Sequence, residues 1–132
     1  MWKILIVDDE ATNRKLLRHQ IGPDFACDEA PNGAVALDAY QMAKKLNSPY
    51  IAIFLDILMP VVDGIQVLKN IRNTEKQSGV TKKNSVAIIV LTAHPEHMPE
   101  CQQHGVDDFL TKPYNPYIII STLQKCIDAR KE

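Results

Sequence analysis

Aromatic residues are scarce in this chain, 6% against 45% hydrophobic residues in all, so any core it builds must be aliphatic. Charge of one sign is equally wanting. Fifteen basic and sixteen acidic residues leave a formal −1, without the basic stripe that nucleic-acid binders usually carry. Lys44-Lys45 and Lys82-Lys83 are isolated pairs, better suited to solvated loops and helix ends than to a binding patch. No apolar run approaches the roughly 20 residues needed to span a bilayer. The run 4–7 meets acids too soon to be part of a signal peptide. Cys27, Cys101 and Cys126 are odd in number, far apart and form no CxxC, which predicts reduced thiols in a cytoplasmic protein. GxSxG, the P-loop and GxGxxG are missing too, which removes the common hydrolase and nucleotide-binding signatures.

What the chain does have is an alternation. With 132 residues it can bury one core, and a single domain over 1–132 is expected. Apolar runs at 4–7, 51–55 and 86–91, with weaker ones at 25–27 and 109–110, are separated by helical patterns. The three strong runs are apolar on consecutive residues, as parallel strands covered on both faces must be. Ala36, Tyr40, Ala43 and Leu46 form one helical stripe, Ile65, Leu68 and Ile71 a second, and Ile120, Leu123 and Ile127 a third. Gly33 and Gly64 sit where helices should start, Gly79 and Gly105 where they should end. The expected order is β1 (3–8), α1 (12–21), β2 (25–29), α2 (33–46), β3 (50–56), α3 (64–76), β4 (86–91), α4 (97–104), β5 (107–111) and α5 (115–129). Pro95 and Pro99 should make α4 short or irregular. Five βα units imply an α/β doubly wound parallel sheet with right-handed crossovers.

Such a sheet binds its ligand beyond the carboxyl ends of the strands, where the winding reverses. Those ends are polar here: Asp8-Asp9 after β1, Asp56 at β3, Thr92 after β4, and Lys112-Pro113 after β5. In a parallel sheet they converge on one rim. Clustered carboxylates raise one another's pKa unless a cation neutralises them, and a few oxygen ligands beside a phosphoryl group suit Mg²⁺. A carboxylate flanked by that ion and a lysine is arranged for phosphoryl transfer, with Asp56 as the nucleophile. Taken singly, Asp8 or Asp9 could also be an N-cap of α1, Lys112 a surface lysine and Thr92 a turn former.

The blocks Val7-Asp8-Asp9-Glu10, Leu55-Asp56-Ile57-Leu58-Met59-Pro60 running to Asp63-Gly64, Val90-Leu91-Thr92-Ala93 and Gly105 to Pro113 resemble the signature blocks of response-regulator receiver domains. The resemblance implies a flavodoxin-like sheet of order 2-1-3-4-5 with helices on both faces. It makes Asp56 the phosphoacceptor and Asp9 a direct Mg²⁺ ligand, with Asp8 acting through water and the carbonyl of Leu58 completing the set. Thr92 and Lys112 would hold the phosphoryl group, Thr92 and Phe109 would form the switch, and the Lys112–Pro113 bond would be cis. It also implies a sensor histidine kinase or histidine phosphotransfer protein as donor. Signalling would run through an α4–β5–α5 face to an unknown output partner, and the chain would be a monomer or a weak homodimer through that face. No direct contact with nucleic acid or membrane is expected. The resemblance makes Leu58 and His94, two residues after Asp56 and Thr92, the positions that tune the phosphoryl lifetime, and apolar Leu58, which offers no acid or base for hydrolysis, would favour a long-lived phosphoaspartate.

Other functions fit less well. A haloacid-dehalogenase-type phosphatase needs an acid two residues after its nucleophile, where this chain has Leu58. A receiver that signals without phosphorylation would have lost one of the acids or the lysine. A receiver module of a larger hybrid kinase or multidomain regulator shares every motif, although 132 residues leave no room for a DNA-binding effector. His97, Cys101 and His104, at i, i+4 and i+7 with His94 nearby, form a second possible metal group, and His19 reads as a surface or boundary histidine.

Overall fold

The computed structural model describes residues 2–57 and 63–130. Five parallel strands lie in the order β2-β1-β3-β4-β5: β1 Lys3–Val7, β2 Ala26–Ala30, β3 Tyr50–Leu55, β4 Ala87–Thr92 and β5 Asp108–Thr111. The helices are α1 Ala11–Ile21, α2 Gly33–Lys45, α3 Gly64–Gln77, α4 Met98–Gln103 and α5 Tyr117–Asp128.

The consecutive apolar residues of the central strands divide by parity. Leu5, Val7, Ile53, Leu55, Ile88 and Val90 pack in one cluster with residues of α2 and α3 and with Cys101 of α4. Ile4, Ile6, Ala52, Phe54, Ile89 and Leu91 pack in another with residues of α1 and α5. Successive strand side chains point to opposite faces, so a strand covered on both sides must be apolar at every position. The reversal of winding falls between β1 and β3, and this puts the segments after Val7 and Leu55 side by side.

The starts of α2 and α3 follow from local chemistry. Asn32 accepts a hydrogen bond from the Val35 N–H at 2.9 Å, and Asp63 accepts one from Gln66 at 2.9 Å. Gly64 allows its helix to start against the backbone of Asp56 and Ile57, because a Cβ there would collide with the Asp56 carbonyl and the Ile57 Cα.

Several expectations need correction. Leu46 lies outside the buried stripe of α2, at 68% exposure. In α5 Leu123 and Ile127 are buried as expected, but the isoleucine turned inward with them is Ile119, while Ile120 is exposed. Three isoleucines in succession (118–120) satisfy any helical phase, so packing alone selects the one that faces inward. Helix α4 begins at Met98 after a 3₁₀ turn over Pro95–His97, and α5 starts at Tyr117. Neither Asp8 nor Asp9 caps α1. Its N-cap is Glu10, which makes no side-chain cap.

Candidate functional site

β1 and β3 deliver their acids to one place. Asp8, Asp9 and Asp56 each offer a carboxylate oxygen, and these three atoms lie within 4.8 Å of one another. Asp8 is buried and Asp9 exposed, with Asp56 between. Two backbone contacts hold this geometry: the Asp56 N–H donates to the Val7 carbonyl at 3.0 Å, and the Gly64 N–H donates to the Ile57 carbonyl at 3.0 Å.

The Asp8 carboxylate is fixed from two sides. One oxygen accepts from the Glu10 N–H at 2.9 Å, and the other lies 3.5 Å from Lys112 Nζ. Arg14 steadies the same turn by donating to the Asp8 carbonyl at 2.8 Å, while its Nε pairs with Glu29 at 3.0 Å. Lys112 arrives by strand pairing: its N–H donates to the Thr92 carbonyl at 2.7 Å, one residue past β5. The Lys112–Pro113 peptide bond is cis.

Thr92 closes β4 with its side chain buried. Its hydroxyl oxygen accepts from the His94 N–H at 3.1 Å, which leaves its own proton free to donate. Phe109 pairs with Val90 across the sheet and packs, half-buried, against the cluster that contains α2 and α3. A cleft of about 260 Å³ opens beside Asp8, lined by that acid with Leu17, Leu91, Lys112 and Tyr114 among others. Leu58, the expected carbonyl ligand, lies outside the described residues.

The three acids are the only set of at least three metal-ligating side chains brought together among the described residues. His97, Cys101 and His104 form no such set. Cys101 is fully buried in the core, and that burial pushes its thiol above the usual range, away from the thiolate a metal needs. His19 is exposed on α1.

Sequence reasoning missed a second ionic cluster, at the opposite rim. Asp107 precedes β5 and accepts from the Ile88 N–H at 2.7 Å. Arg72 reaches it at 2.7 Å, Lys82 at 2.7 Å and Arg130 at 3.0 Å. Burial pushes the Asp107 carboxyl up. Hydrogen bonds from Lys82 and the Ile88 N–H, with the Arg72 and Arg130 charges, outweigh this and hold it below the usual carboxylate range. Arg72 also binds Glu75 at 2.6 Å, and Glu75 accepts from the Val86 N–H at 2.8 Å. The partners of Asp107 lie 19 to 35 residues away in sequence, so no local pattern announces the cluster.

The chain matches the model of the response regulator receiver domain over residues 4–124. It belongs to that family. Receiver domains of this family serve two-component signalling, and the relatives include both response regulators and hybrid kinases. The receiver is 40% identical to the transcriptional regulatory protein ResD of Bacillus subtilis over 121 residues, covering 89% of this chain and 45% of ResD. It is 35% identical to hybrid signal transduction histidine kinase F of Dictyostelium discoideum over 112 residues, 84% of this chain and 10% of that one. The chain thus spans less than half the length of these relatives. Among solved structures, the chemotaxis protein CheY4 of Vibrio cholerae aligns with a TM-score of 0.76 at 29% identity, covering 96% of this chain and 98% of that one. The response regulator TrrA of Thermotoga maritima, in complex with Mg²⁺-BeF, aligns equally well: TM-score 0.76, 29% identity, 96% and 99% covered.

Proposed function

We propose that this receiver accepts a phosphoryl group on Asp56 from a phosphohistidine donor, a sensor histidine kinase or a histidine phosphotransfer protein. The observation that carries the reading is the meeting of three carboxylates with Lys112 at one rim. Hard oxygen donors grouped this closely, with excess negative charge, suit a divalent cation such as Mg²⁺. Asp9 and Asp56 would hold it directly and Asp8 through water, with the Leu58 carbonyl as the remaining protein ligand. The bound ion would neutralise the acids and draw charge from the phosphoryl oxygens.

The residues of the chain do the rest. An Asp56 carboxylate oxygen attacks phosphorus, the P–N bond of the donor breaks, and its electron pair stays on the imidazole nitrogen. An acyl phosphate results. Lys112 moves from its 3.5 Å pairing with Asp8 toward the incoming oxygens, and the Thr92 hydroxyl donates its proton to one of them. That shift opens space behind Thr92 for Phe109, so a local charge change alters the α4–β5–α5 face presented to an output partner. With Leu58 in place of a second acid, phosphoryl loss is slow and the chain is a signalling domain, not a turnover phosphatase. Residues 1–132 act as one unit. No helix among the described residues is long and apolar enough to cross a membrane, and the proposed compartment is the cytoplasm.

Mass mapping after incubation with Mg²⁺ and a small acyl or amido phosphate tests the reading. The modified residue should be Asp56. Asp56→Asn should abolish labelling while the circular dichroism spectrum stays unchanged, and labelling retained at that site would refute the assignment.

A further inference from the structure

Of the eight large hydrophobic side chains that the described residues leave exposed, three lie on or at the end of α2: Val35 (41%), Met42 (53%) and Leu46 (68%). With half-buried Ala39 they follow at intervals of four, three and four residues. At 3.6 residues per turn the four positions fall within about 60° of one another. They lie roughly 110° round the helix from Gly33, Ala36, Tyr40 and Ala43, which are buried. Spacing of 4-3-4 is that of a heptad seam, with Val35 and Met42 at d and Ala39 and Leu46 at a. The helix therefore carries a second apolar face, of which the protein's own core uses only the inner side of Ala39.

The charges beside the seam indicate what covers it. Asp38 and Lys45 occupy successive g positions on its solvent flank, both exposed. Neither makes an ion pair among the described residues. The opposite flank, at e, is Ala36 and Ala43, already committed to the core. In an antiparallel helix pair the g positions of the two helices face each other. A two-fold axis between two copies would thus set Asp38 of each against Lys45 of the other, and the pairing closes on itself. The same operation matches Val35 with Leu46 and Ala39 with Met42, small against large at the centre. A parallel pair would bring g against the neutral e flank and leave both charges unanswered.

We propose that α2 docks antiparallel on α2 of a second copy of this chain. The surface is separate from Asp8, Asp9, Asp56, Thr92 and Lys112, and from the α4–β5–α5 face, so a dimer of this kind leaves the acceptor rim and the output face open. One pair of short helices buries less than the ~1,200 Å² of stable interfaces, which makes the assembly weak and dependent on concentration.

Sedimentation equilibrium of the full chain at low salt, over a concentration series up to the solubility limit, tests the proposal. The weight-average mass should climb from 14.9 kDa toward twice that value. Met42→Glu should remove the rise. Asp38→Lys or Lys45→Asp alone should move it to about tenfold higher concentration, because each sets two like-charged pairs face to face. The double exchange Asp38→Lys/Lys45→Asp should restore it. All these sites are exposed, so unchanged melting curves keep the comparison clean. A chain that remains monomeric throughout overturns the proposal and leaves the seam to a helix of some other protein. So does a dimer that survives Met42→Glu but is lost in Ile120→Glu, which would put the contact on α5. A double exchange no better than the single ones overturns the antiparallel arrangement.

Discussion

At the carboxyl ends of the strands Asp8, Asp9 and Asp56 crowd together with Lys112 as their paired cation. At the amino ends one carboxylate, Asp107, is ringed by Arg72, Lys82 and Arg130. Both rims are ionic, and the accounts they keep are opposite. The first has acid in excess at a rim where Asp9 is exposed to solvent. The second sets Arg72, Lys82 and Arg130 against two carboxylates, the nearly buried Asp107 and Glu75, each of which also accepts a backbone N–H. An unneutralised cluster is held together by the fold at a cost and invites a ligand of the missing sign. A cluster whose acids are each met by cations ties α3, β4, β5 and the end of α5 together and leaves no carboxylate for a metal. An excess of acid, more than the presence of charge, separates the site from the brace.

Removing an acid should therefore have opposite consequences at the two rims. Asp107→Ala leaves the nearly buried Arg130 without its counter-ion and Arg72 with Glu75 alone, and should destabilise the fold by about 3–5 kcal/mol, nearer the lower figure because Arg72 keeps Glu75 and Lys82 can turn to solvent. Asp9→Asn, at the acidic rim, should stay within about 0.5 kcal/mol of wild type. Urea titrations of the two variants side by side measure the contrast, and equal losses would dissolve it.

Metal affinity should respond in the reverse sense. Asp8→Asn keeps an acceptor for the Glu10 N–H but removes a charge, and should weaken Mg²⁺ binding by roughly 10–100-fold. Asp107→Asn should leave Mg²⁺ binding unchanged. Calorimetric titration with MgCl₂ reads both.

Gly64 sharpens the comparison from the backbone side. A methyl group there meets the Asp56 carbonyl and the Ile57 Cα, neither of which can swing aside. Gly64→Ala should cost about 1–3 kcal/mol in thermal unfolding. It should also slow labelling of Asp56, since the strain falls on the peptide of the proposed phosphoacceptor. Loss of stability with normal labelling would separate the helix start from the site.

The smallest effect concerns acid. The folded Asp107 carboxyl sits below its ordinary value, so the unfolded chain takes up its proton first as pH falls. Its contribution is complete above the unfolded value, near pH 4, and is lost as pH drops through the folded value. Stability measured from pH 5 downward should fall less steeply in Asp107→Asn than in wild type. Parallel curves would mean that other groups carry the acid sensitivity.

Much of this molecule is legible in its sequence. The consecutive apolar residues of β1, β3 and β4 declare strands covered on both faces. A parallel sheet then brings the residues after Val7, Leu55 and Leu91 to a common rim, whatever the helices do in detail. Asp8, Asp9 and Asp56 meet because each ends a strand, and that is a property of position along the chain. Helix phase was less legible. The 36-40-43 stripe of α2 extends to Leu46 on spacing alone, but ten residues on from Ala36 the helix has drifted about 80° out of phase, and the residue belongs to the seam outside.

The sequence by itself determined the layered architecture, the acidic rim and the lysine that answers it, because these depend on residue type and on order along the chain. Only the tertiary structure decided that Ile119 rather than Ile120 enters the core, that Cys101 is buried beyond the reach of a metal, and that Asp107 gathers three cations from α3, the segment before β4, and the segment after α5. Those outcomes rest on distances between residues remote in sequence, and packing sets such distances.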